Sequence, residues 1–180
     1  MSLSSYWLMP PGWTSCARED IPAILTHAFP SSAPGADAQE RDPARASSPS
    51  GGEVIALATG PADATYDFTS TIMVLASPIP AETLPAQALA DSARALAERV
   101  PGFRMLEDCD WPLAPESSRL RTGIYILGTT PITACQWAWT QADGEDDFLV
   151  TATATTTTPA FGILHEQILA IITSLEVTRD

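Results

Sequence analysis

The chain has 180 residues, of which 45% are hydrophobic, and it sets 22 acidic against nine basic side chains for a formal charge of -13. That balance repels phosphate backbones and anionic lipid surfaces, and so argues against nucleic-acid and membrane-surface partners. Every basic residue is arginine, which excludes a Schiff-base lysine and a phosphate-loop lysine.

A single domain over 1–180 is expected, long enough to bury a core without disulfide or metal staples. Cys16, Cys109 and Cys135 form no Cys-x-x-Cys pair, and their odd number fits a reducing compartment. Met1-Ser2-Leu3 brings neither the positive charge nor the apolar run of a signal peptide, and no stretch of about 18 apolar residues offers a membrane span. As written the chain reads as cytoplasmic; a signal peptide removed ahead of Met1 would place it in the cell envelope. Abundant alanine and arginine without lysine is the composition of a high-GC genome, such as that of an actinobacterium.

In chain order, the segment from Tyr6 reads as a short strand stopped by the turn Pro10-Pro11-Gly12 ahead of Trp13. The apolar stretch 21–29 fits a strand or a helical turn. Residues 31–52, rich in Ala, Ser, Pro and Gly, have no apolar periodicity and are expected to form a flexible loop. A strand over 53–58 and a turn at Gly60-Pro61 follow, then a strand over 67–76 that is apolar on both faces. Thr83 is placed to cap a helix with Pro85 in its first turn. Leu89, Ala93, Leu96, Ala97 and Val100 form its apolar stripe, and Arg94 is four residues from Glu98 on the opposite side. Pro101-Gly102 ends it.

Four strands come next. Phe103, Met105, Cys109 and Trp111 alternate with Arg104, Asp108 and Asp110; Leu120, Thr122, Ile124 and Ile126 alternate with Arg119, Arg121 and Tyr125. Strands over 132–141 and 147–157 flank an acidic Asp-Gly turn, a hairpin signal. Thr158 is placed to cap a final helix with Pro159 in its first turn and a stripe of Phe161, Leu164, Ile168, Ile171, Ile172 and Leu175. The expected fold is α+β, an antiparallel sheet of about six or seven strands covered by two main helices.

This order, with Pro11-Gly12-Trp13 after a short strand, a long strand from Tyr66 to Leu75, an arginine-bearing strand, a Gln136-bearing strand, a Thr-rich strand and a closing Ile171-Ile172-Thr173-Ser174-Leu175, resembles the PsbP/Mog-like family and its actinobacterial LpqN-type branch. The resemblance implies a sandwich-like fold and an accessory or interaction role, in settings from photosystem assembly to small-GTPase binding and the cell envelope. It implies no catalytic set. The 31–52 loop and the missing lipid-anchor cysteine depart from the pattern.

Few residues invite chemistry. His165 falls on the stripe of the last helix, and Cys109 and Cys135 lie on strands; all three are expected to be core residues. Cys16 with His27 is the more open of the thiol–imidazole combinations. Asp108 and Asp110 share a face, which fits either an acid/base pair or charges that guard a sheet edge, and the edge role is the simpler. The acidic hairpin tip 143–147 lacks the alternating ligands of a calcium loop, and no cysteines or histidines are spaced for zinc. Catalytic residues, metals and cofactors are therefore assigned to none.

Trp137 and Trp139 share one strand face beside Cys135, either as core or as a binding hot spot. Tyr125, Arg119 and Arg121 on the neighbouring strand, together with Trp13, complete the candidate partner-binding set. The expected function is a non-enzymatic interaction module for an unknown protein partner, as a monomer or homodimer. The alternatives are a ligand binder or enzyme with a pocket between sheet and helices, and a self-assembling structural subunit.

Overall fold

The computed structural model describes residues 3–21, 52–111, 117–143 and 146–179. The expectations for the apolar stretch after Ile21, the loop before Gly52, His27 and the hairpin tip at Gly144-Glu145 lie outside the described residues.

The described chain runs β1 (Leu3–Tyr6), β2 (Thr14–Ser15), a 3-10 turn (Arg18–Asp20), β3 (Glu53–Asp63), β4 (Phe68–Pro78), α1 (Pro85–Arg99), β5 (Arg104–Asp110), β6 (Ser118–Leu127), β7 (Thr130–Asp143), β8 (Asp146–Thr157), α2 (Thr158–Thr173) and β9 (Glu176–Arg179). A seven-stranded sheet has the order β2-β3-β4-β8-β7-β6-β5, and β1 pairs with β9 in a two-stranded sheet. All pairings are antiparallel. This is the α+β architecture expected from the apolar patterning.

The two helices lie on opposite faces. On the front, α2 buries Leu164, Ile168, Ile171 and Ile172 against Ile72 and Val74 of β4, Val150, Ala152 and Ala154 of β8, and Trp137 of β7. The period of two selects these strand residues: Val74 opposes Ala152, which opposes Trp137, in one continuous row. On the back, α1 buries only Ala88 and Leu89.

Several boundaries differ from the pattern for identifiable reasons. The first strand is Leu3–Tyr6, because β9 supplies its partner, and Trp7 turns into the core. Trp13 N–H closes the following turn on Pro10 O at 3.1 Å. β3 continues through Gly60-Pro61 to Asp63 by a register shift between Thr59 and Ala62. At Gly60 an added Cβ would come within 2.8 Å of the Trp13 ring, so glycine admits the indole there.

Leu84, with no side-chain cap, precedes α1 where Thr83 was expected to cap it, and Arg94 pairs with Asp91 rather than Glu98. Thr157, one residue earlier than expected, caps α2 by accepting from Ala160 N–H at 3.3 Å. In β5 a register shift between Met105 and Glu107 breaks the simple alternation. Met105 opposes Gly123, on the back, whereas Glu107 and Cys109 oppose Thr122 and Leu120, on the front.

Candidate interaction site

Two regions carry the side chains singled out above, one on each face. On the front, Trp137 is 1% exposed and meets Trp111 edge-to-face, with centroids 6.2 Å apart. Its indole N–H is buried without a hydrogen-bond partner. Trp139 follows on the same face, partly buried against the same core, and Cys135 is 2% exposed beside them. Trp13 is also in this core, 6% exposed, and its Nε1 donates to Gln167 Oε1 at 2.9 Å.

Arg119, Arg121 and Tyr125 do not extend the tryptophan patch. Trp137 opposes Leu120, so the residues on either side of Leu120 project to the back. Tyr125 lies there with its ring 6.5 Å from that of Phe103. Phe103 fills the space over Gly123, where any Cβ would collide with the ring.

Arg121 is 1% exposed. Its Nη1 donates to Ser92 Oγ and Gln136 Oε1, each at 2.9 Å, and its Nη2 donates to Leu89 O at 2.7 Å. Its Nε lies 3.5 Å from Asp108 Oδ2, an ion pair without a hydrogen bond. Burial lowers the guanidinium pKa, and Asp108 opposes the shift. Buried charge of this kind is tolerated only with such partners. Arg119 binds Asp108 Oδ1 at 2.8 Å and Asp110 Oδ1 at 2.6 Å, so one guanidinium holds both carboxylates. β5 is an edge strand, the position at which such charges deter edge-to-edge pairing.

The thiols are poorly placed for nucleophilic work. Burial pushes Cys135 up to about 11, and burial also raises Cys16 and Cys109, the latter with help from nearby Glu107. His165, expected in the core, is exposed and rests against Phe161 with centroids 5.3 Å apart. It stands at the outer edge of the stripe, about 100° around the helix from Leu164 and about 120° from Ile171. Among the described residues no group of three or more His, Cys, Asp and Glu side chains is gathered as for a metal ion. Among them, too, no helix is long and apolar enough to cross a membrane.

α2 packs chiefly across β7 and β8, and the front of β6 continues beyond it. Thr158 at the start of α2 is bonded to Thr133 at 3.1 Å, and Ile124 is the next residue outward in that row. Gln167 faces Trp13 and β3, so His165, about 200° from it around the helix, lies on the flank towards β6. Ile126 there is 61% exposed and Ile124 half-buried. The alternation of Leu120, Thr122, Ile124 and Ile126 is legible in the sequence; the point at which the helix stops covering them is not.

No family model matches the chain, and no curated protein matches it in sequence. Solved structures do match in fold. LpqN of Mycobacterium tuberculosis, described as involved in cell envelope biogenesis, superposes with a TM-score of 0.65 at 16% identity, over 99% of this chain and 85% of that one. PA94 of Pseudomonas aeruginosa, a protein of unknown function described as a putative regulator, matches with a TM-score of 0.55 at 12% identity, over 76% and 88%. The PsbP protein of Synechocystis sp. PCC 6803 matches at 0.47 and 12%, over 98% and 93%. The chain has an LpqN-like fold.

Proposed function

We propose that this chain is a non-enzymatic accessory module that binds a protein partner through the front of β6, beside α2. The observation that carries this reading is the apolar strip left uncovered there, with Ile126 61% exposed and Ile124 half-buried next to a fully packed core. A scattered exposed aliphatic residue is ordinary, whereas a strip continuous with the core is the surface that association removes from water. Trp137, Trp13 and Arg121 serve as framework in this reading, since each is buried. The three raised thiols and the carboxylates tied to Arg119 favour binding over nucleophilic or acid–base chemistry. The cell-envelope setting of LpqN makes the envelope the first place to seek the partner.

The test is capture from both soluble and membrane extracts, run in parallel with wild type and Ile126→Asp. Because Ile126 is exposed, the variant should unfold at the wild-type denaturant midpoint, within about 0.5 kcal/mol. One stoichiometric protein retained by wild type and lost by the variant supports the reading. A partner retained equally by both, or no partner in either extract, overturns it.

A further inference from the structure

We propose that α1 is a displaceable lid over the back of the sheet, held shut by a hydrogen-bonded latch built on Arg121. The helix is weakly anchored by apolar contact: of its 15 residues only Ala88 and Leu89 are buried, against Leu164, Ile168, Ile171 and Ile172 in α2. Its N-cap, Leu84, has no side chain that can satisfy the free amides of the first turn. An isolated helix of this length is marginal in water, so α1 depends on what it docks against.

Its middle docks against polar groups, flanked on the same face by the buried Ile132, Ala134 and Ala138 of β7. Arg121 Nη1 donates to Ser92 Oγ, Ser92 Oγ donates to Leu89 O at 2.7 Å, and Arg121 Nη2 donates to the same carbonyl. These three bonds close a ring between the sheet and the middle of the helix. Gln136 and Thr153 continue the row beneath it, with Gln136 Oε1 accepting from Arg121 and its Nε2 donating to Thr153 Oγ1 at 3.3 Å.

Such a latch is unlike an apolar contact. On opening, water replaces the lost hydrogen bonds, and the guanidinium regains the hydration that burial denies it. The apolar surface exposed in return, Ala88 and Leu89 with Ile132, Ala134 and Ala138 of β7, is smaller than that of the front core. Local opening of α1 therefore costs far less than unfolding the front core, and it uncovers the row Arg121, Gln136, Thr153. This holds whether or not a partner binds the front face.

Hydrogen exchange on the full chain, read by peptide mass spectrometry across a range of sub-denaturing urea, tests both lid and latch. The amides of α1 from residue 89 onward should exchange at least about tenfold faster than those of residues 164–172, with a weaker dependence on urea. Ser92→Ala removes the bridging hydroxyl while slightly favouring helix. Exchange in α1 should then rise by about fivefold, with α2 unchanged. Exchange of α1 and α2 at one common rate, with one urea dependence, overturns the lid. Selective opening of α1 that Ser92→Ala leaves unaltered overturns the latch, and the proposal with it.

Discussion

A thiol reacts as thiolate, and each of the three here is held back from that form. Burial is the main cause at Cys135, which is pushed up to about 11, and at Cys16 and Cys109, where Asp20 and Glu107 add negative charge nearby. With iodoacetamide at pH 7, Cys16 and Cys109 should be alkylated no faster than free cysteine. Cys135 should react more than about a hundredfold slower, from its lower thiolate fraction alone. All three rates should climb as pH rises toward the raised pKa values. Peptide mass spectrometry over time measures this, and any thiol faster than free cysteine would restore nucleophilic chemistry as a reading. Much at this scale was legible beforehand: period two put Trp137, Trp139 and Cys135 on one face. Arg121 was not. An arginine belongs on the surface by default, and only the convergence of Ser92, Gln136, Leu89 O and Asp108, from three elements, makes its burial tolerable.

Elements depend on their ends, and the start of α2 is tied to the end of β3. Thr157 Oγ accepts from Ala160 N–H and donates to Asp63 Oδ2 at 2.7 Å. That bond is the main reason the Asp63 carboxyl is held below its ordinary value, and Thr65 N–H, donating to Asp63 Oδ1 at 3.0 Å, assists. A depressed carboxylate pKa adds stability above the unfolded value and loses it as pH falls through the folded one. The Asp63 contribution to the melting temperature of wild type should therefore be lost as pH falls below about 4. Asp63→Asn should melt lower at neutral pH yet show a shallower decline over that acid range. Parallel slopes would mean that the Asp63–Thr157 bond contributes nothing to the cap. The stripe of α2 and its opening proline were readable from periodicity, but its cap was displaced by one residue. The shift in β5 was unreadable, because strict alternation places Phe103 and Met105 with Cys109 and Trp111. The intervening bulge moves the first two to the opposite face.

For the molecule as a whole, element order was enough to anticipate the LpqN-like fold, while function was not legible because a fold at 16% identity is compatible with many sites. The closure of the chain was also missed, since β9 is four residues following a helix and has no pattern of its own. It matters nonetheless. Pairing runs from Leu3 with Arg179 to Tyr6 with Glu176, Ser4 and Thr178 share a hydroxyl contact at 3.1 Å, and Gln141 Nε2 donates to Val177 O at 2.9 Å. Trp7 and Val177, each 8% exposed, carry both ends of the chain into the front core. Deleting residues 176–180 removes the buried Val177 side chain and leaves β1 without its partner, at an expected cost of about 3 kcal/mol. In urea the midpoint should drop accordingly while the slope stays close to wild type, because the seven-stranded sheet still unfolds as one unit. If the midpoint did not move, the two-stranded sheet would be an appendage, and the front core would have to hold Trp7 without help from the C-terminal strand.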